Sequence, residues 1–421
     1  MKMNKHANPL LPYSQQILPS GLTLVHKAVR VAPIVALDFW VPSGAAHDPE
    51  PHFGLAHFYE HMFFKGTERY GAGVMDRVIT ALGGYNNAST SLDYTHYYVV
   101  LPSAGWRAAL DVLMDSLRHP LFDPHEIENE RSVIIEEIKR HEDNPLSKIY
   151  DEFTQAAFAR CPYSRRVLGT EESLHTITRG TFLDFLHTRY RLDNVTLCVV
   201  GDVSREEVED AVNALAGDSE PATASPAPPS WEIIQEPQEV TLQRDVNQAY
   251  LLIGYPTPSI VGTPDEYALD LLSIILGEGR SSRLHRRLHD ELGLVSSIST
   301  TSWTLARAGL FLVEAVTDPD KLATVESEIL HELEKVSEGV TEEELRKAKN
   351  IARADFDFSN EKIINISTTY GYSRVTTTIE HAVHYLEVLE SVTPDQLRRT
   401  FETLLIPSRR CKGLLMPKNG K

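Results

Sequence analysis

Cysteine is scarce in this chain of 421 residues: Cys161, Cys198 and Cys411 are the only three, odd in number and scattered. That number and spacing indicate neither a disulfide framework nor a thiolate metal cluster. Long apolar runs are missing too, so no segment reaches the length of a membrane span. Basic residues are outnumbered, 41 Lys and Arg against 59 Asp and Glu, giving a net charge of −18. Such a charge is repelled by a phosphate backbone and by an anionic membrane surface, which argues against both as partners. It is compatible with basic or unfolded peptides, and it also serves solubility. The opening stretch MKMNKHANPLLPYSQQILPSG has no apolar core of a secretory signal. The cytoplasm is therefore the default expectation, or the periplasm or an organelle where a leader has been removed. What remains is an ordinary globular composition, 42% apolar and 24% charged, at a length that calls for two or more domains.

The pattern along the chain gives an α+β fold. Leu22 to Val41 is β-branched and alternating and reads as a strand pair. A helix follows from about Gly54, and a second over Gly71 to Leu82, closed by Gly83-Gly84. Asn87 to Leu101 reads as strands and Trp106 to Leu117 as an amphipathic helix. Pro124 opens a further helix at its first turn. Val195 to Val203 is a buried strand by its apolar run. The segment GDSEPATASPAPPS, with four prolines and no large apolar residue, reads as a semi-extended linker. Beyond it the order of elements repeats: QEVTLQRDVNQAYLLIGYPTP answers the opening strands, and TEEELRKAKNIARADF answers NERSVIIEEI. The expected organisation is two homologous domains, 1–216 and 231–421, joined by the linker 217–230. Each is a mainly antiparallel, mixed sheet packed with helices.

The stretch GLAHFYEHMFFKGT carries the chemistry. On a helix, His57 and His61 project from one face a turn apart, and Glu60 reaches the same face. Two imidazoles and a carboxylate aimed at one spot are the parts of a zinc site with a base beside it. The order H-x-x-E-H is the inverse of the commoner zinc-protease motif. A hydrolytic zinc wants three protein ligands and one open position. Candidates for the third lie on the helix after Pro124, where Glu130 and Glu137 share a face with Ile127 and Ile134. A carboxylate among apolar neighbours is costly unless paired or bound to a metal. Glu136 would point roughly 100° away. The second half has no H-x-x-E-H. Its His285 and His289 are four apart, but no carboxylate stands between them, and no second zinc site is expected.

Taken together, GLAHFYEHMFFKGT, GGYNNASTSLDYTHYY and NERSVIIEEI resemble the pitrilysin family of inverted-motif zinc peptidases, to which insulin-degrading enzyme and the mitochondrial processing peptidase belong. LGTEESLHTIT, YRLDNVTLCVVGDV and GRSSRLHRRL extend the resemblance over nearly the whole chain. It implies Zn2+ as cofactor, His57, His61 and Glu137 as its ligands, and Glu60 as the group that activates the attacking water. It gives Glu130 a second acidic role on that helix and lays an extended peptide substrate along Asn87, Ala88, Ser89 and Thr90. The implied activity is an endopeptidase acting on extended or unfolded peptides in an enclosed chamber.

One part of the family pattern is missing. Where the family resembles L-R-x-x-x-G-L-x-Y, this chain reads LHDELGLVSS, with His289 in place of arginine and Ser296 in place of tyrosine. The resemblance therefore implies a metal-bearing subunit whose homologous partner supplies the Arg/Tyr pair, as a heterodimer. Two other readings stay open: a self-sufficient homodimer, and a structural or chaperone-like member without activity. Glu130 reads equally as a helix-face or salt-bridged carboxylate, and Asn87 equally as a turn residue. The group Arg280, Arg283, Arg286 and Arg287 reads as a solvated helix face.

Overall fold

A computed structural model of the chain describes residues 8–217 and 232–418. The linker expected at 217–230 lies outside them except for Gly217. The fold is α+β, with two mixed sheets and helices packed on them. The chain forms two compact units, and these follow packing rather than sequence halves. The first takes its described residues from Met1–Ile138, Arg165–Pro228 and Asp357–Val383. The second takes them from Lys139–Ser164, Pro229–Phe356 and His384–Lys421.

The first unit holds β1 (Ser14–Ile17), β2 (Thr23–Ala28), β3 (Ile34–Val41), β4 (Tyr85–Thr90), β5 (Thr95–Pro102) and β6 (Thr196–Gly201), in the order β1-β2-β6-β3-β5-β4. The strands read as a pair from Leu22 to Val41 are thus not neighbours. β6 lies between them, parallel to β2 and antiparallel to β3. The reason is burial: every residue of β6 is buried, and such a strand belongs in the middle of a sheet. On one face, Val35, Leu37, Phe39 and Val41 of β3 join Tyr97 and Val99 of β5 in a core with Phe58, Tyr59, Met62 and Phe63. On β3's other face, the Asp38 carboxylate takes hydrogen bonds from His96 Nδ1 (3.0 Å) and from Ser367 Oγ (3.2 Å).

The second unit holds β7 (Gln238–Arg244), β8 (Ala249–Pro258), β9 (Val295–Thr304), β10 (Ala308–Thr317) and β11 (Cys411–Pro417), in the order β7-β11-β8-β10-β9. Only the β7–β11 pair is parallel. Strand for strand this repeats β2-β6-β3-β5-β4, which is the duplication read from the sequence.

Each sheet is also covered by a helix from the opposite half of the sequence. In the first unit this is Ile363–Thr376, whose Gly371 lies against the Trp40 ring. A Cβ there would stand 2.1 Å from Trp40 Nε1, so only glycine lets the helix approach. In the second unit the contact is inverted. Phe153, on the helix Pro145–Ala157, fits over Gly254 of β8 and Gly413 of β11. Among the described residues, no helix is long and apolar enough to cross a membrane.

Candidate metal centre

The centre is built on α1 (Leu55–Phe63), which follows Gly54 in the left-handed conformation, φ 89°. The helix has no cap from its own first turn. The buried Asp48 carboxylate supplies one from the preceding loop, accepting hydrogen bonds from Gly54 N (2.7 Å) and Ala56 N (2.9 Å). Burial pushes the Asp48 carboxyl up to about 7, against these bonds and the nearby Arg165 guanidinium. Arg165 itself donates to the Ala46 and Asp48 carbonyls and pins the loop. Seven of the nine residues of α1, including His57, Phe58, Tyr59 and Phe63, are buried, so its orientation is fixed by the core.

α2 (Val74–Ala81) and α3 (Trp106–Arg118) add Met75, Ile79, Leu110 and Leu113 to the same core. α4 (Pro124–Asp143) brings the carboxylates. The His57 and His61 rings lie edge to face, centroids 4.7 Å apart. Glu137 Oε2 stands 3.9 Å from His57 Nε2 and 3.8 Å from His61 Nε2. These three residues offer ligand atoms that all lie within 4.8 Å of one another, close enough for a single ion. Burial, followed by the neighbouring His61, drives the His57 imidazole down to about 3, so it stays neutral with a free lone pair. Two imidazoles and a carboxylate are a donor set that zinc accepts.

Glu130 is not a member of that trio. It stands behind His61, accepting a hydrogen bond from Nδ1 (2.9 Å) and an ion pair from Lys65 Nζ (2.6 Å). Burial would raise its carboxyl, but these two donors outweigh burial and hold it below the usual range. An ionised Glu130 fixes the proton of His61 on Nδ1 and leaves Nε2 open toward Glu137, the usual arrangement behind a metal-binding histidine. It lies near the converging trio but outside it, as the resemblance implies for the second acidic residue of this helix.

Glu60 also reaches the site, with its Oε2 accepting from Thr90 Oγ1 at the end of β4. Burial raises the Glu60 carboxyl above its ordinary value, and the Thr90 bond partly offsets this. Asn87 to Thr90 belong to β4, the outer strand of the sheet, with one edge paired to β5 and no other strand beside it among the described residues. Asn87 is thus a strand residue and not a turn. Asn87 and Ser89 are exposed, while Ala88 and Thr90 face inward. Thr90, Lys65 and Asp48 are contributions that sequence reasoning missed or misplaced. The H-x-x-E-H spacing announces a metal face but says nothing of what anchors it from elsewhere.

In the second unit, His289 Nδ1 lies 2.7 Å from Asp290 Oδ1, and Ser296 Oγ donates to the Val316 carbonyl at 3.3 Å. Neither offers the long charged or phenolic side chain expected at those positions.

Comparison with known proteins shows which family the chain resembles. Residues 24–171 match the family described as Insulinase (Peptidase family M16), and residues 176–352 match the Peptidase M16 inactive domain. An uncharacterized zinc protease of Bacillus subtilis is 30% identical over 343 residues, 81% of this chain and 83% of that one. Another, of Mycobacterium leprae, is 30% identical over 393 residues, 92% of this chain and 88% of the relative. Among solved structures, a protease from Helicobacter pylori superposes with a TM-score of 0.89 at 24% identity, covering 96% of this chain and 99% of its own. Pitrilysin gives 0.82 at 18% identity over 97% of this chain but 45% of pitrilysin.

Proposed function

Because the chain belongs to the insulinase family of peptidases, M16, we propose that it is the metal-bearing subunit of a zinc endopeptidase. The observation that carries this reading is the convergence of His57, His61 and Glu137, with the Glu60 carboxylate beside them and anchored by Thr90. His57, His61 and Glu137 would hold the zinc. When bound, the ion lowers the pKa of water and polarises a carbonyl.

The chain's own residues account for the rest. The outer edge of β4 pairs with the backbone of an extended peptide, which favours extended or unfolded substrates over a particular sequence. Glu60 takes the proton of the attacking water and returns it to the leaving amine as the peptide bond breaks. Its raised carboxyl suits the first act, since it binds a proton more readily than an exposed glutamate does. Glu130 and Lys65 hold His61 in the tautomer the site needs. The cleavage chamber is completed by a homologous partner chain carrying the arginine and tyrosine that His289 and Ser296 replace.

The test is metal removal. Dialysis against a chelator is expected to abolish cleavage of a fluorogenic peptide, and zinc alone is expected to restore it. Undiminished cleavage after verified loss of metal would overturn the proposal.

A further inference from the structure

The second unit holds a histidine pair outside this centre. His285 and His289 lie in the turn His285–Glu291, which is π-helical. Its closing bond runs from Leu292 N to the Arg287 carbonyl, five residues back, at 3.1 Å. That winding decides what the pair faces. In an α-helix, Asp290 would point about 140° away from His285. In a π-turn, with about 4.4 residues per turn, the offset falls to about 50°. Asp290, just past the pair, therefore turns its carboxylate toward both rings.

The contacts follow from this. The His285 and His289 rings stack with centroids 4.5 Å apart. Asp290 Oδ1 is 2.7 Å from His289 Nδ1, and Oδ2 is 3.7 Å from His285 Nδ1. The three residues offer ligand atoms that all lie within 4.8 Å of one another. His285 is partly sunk, and its Nδ1 is buried without a hydrogen-bond partner. A buried polar atom left so is costly unless something binds it.

The neighbouring cations do not forbid a metal. Arg287 is paired with Glu328 (3.0 Å) and Glu291 (3.3 Å), and Arg286 lies 3.8 Å from Glu291.

We propose that His285, His289 and Asp290 form a second site for a divalent transition-metal ion of the zinc class. Imidazole nitrogen and carboxylate oxygen suit zinc, cobalt or nickel better than calcium or magnesium. No glutamate stands at the third position after His285, where Glu60 stands after His57; that residue is Leu288, which is buried. The site therefore binds without a water-activating base. Its half-exposed His289 and Asp290 leave the remaining coordination positions to solvent or to an incoming ligand.

The test is zinc titration of the full-length, chelator-stripped protein by calorimetry. Two equivalents are expected, falling to one in Asp290→Asn and in His289→Ala, with circular dichroism confirming that each variant is folded. A His61→Ala variant is expected to keep the second equivalent. Failure of the two readings is distinguishable. A single equivalent unaffected by changes at 285, 289 and 290 overturns the second site. A single equivalent lost in His289→Ala and retained in His61→Ala supports the second site and overturns the first.

Discussion

Replacing Glu60 with glutamine is expected to lower peptide cleavage by about 10²–10⁴-fold, the usual worth of a positioned general acid–base. Glutamine matches the glutamate in size, and its amide oxygen can still accept the hydrogen bond from Thr90 Oγ1. Zinc content is expected to be unchanged, because Glu60 is not among the three residues whose ligand atoms converge. Stability is not expected to fall. Burial disfavours the ionised Glu60 and raises its carboxyl, so above its ordinary range the charged side chain costs folding free energy that a neutral amide does not. The readouts are the rate constant, metal content and thermal midpoint of one preparation. A variant with full activity would remove Glu60 from the chemistry. One that loses zinc together with activity would make it a ligand.

The second large effect concerns what the chain lacks. Alone, it is expected to cleave peptides slowly. A homologous chain carrying arginine and, seven residues later, tyrosine is expected to raise the rate by about 10²–10³-fold, the cost measured elsewhere for a missing oxyanion donor. In this chain the equivalent positions carry His289, hydrogen-bonded to its neighbour Asp290, and Ser296, whose hydroxyl is spent on the Val316 carbonyl. Neither has the reach of an arginine or the phenol of a tyrosine. The double substitution His289→Arg/Ser296→Tyr is expected to recover part of the missing rate without a partner. Full activity from a pure preparation of this chain, insensitive to changes at both positions, would contradict the division of labour.

The parts of this account that lie along one helix were legible in the sequence. His57, Glu60 and His61 declare themselves by spacing, and Glu130 and Glu137 by sharing a face two turns apart. Periodicity likewise located the strands and the duplication. Which strands pair was not legible. β6 enters between β2 and β3 because its unbroken apolar run needs burial on both faces, a demand of the whole sheet. The exchange of helices between the two halves was also hidden, since it depends on glycine–aromatic fits such as Gly371 with Trp40 that join distant segments. Asp48 and Thr90 were missed as partners of α1 because their hydrogen bonds arrive from a loop and from a strand. The winding of His285–Glu291 escaped for a different reason. An α-helical ruler places Asp290 on the wrong face, and nothing in HRRLHDE announces a π-turn.

The measurement that most directly tests the central claim is anomalous diffraction at the zinc absorption edge from crystals of the zinc-loaded protein. A peak is expected within bonding distance of His57, His61 and Glu137, with Glu60 beside it but outside the ligand set and Glu130 behind His61. No peak there in crystals grown with zinc, or a peak coordinated by Glu60 or Glu130 in place of Glu137, would contradict it.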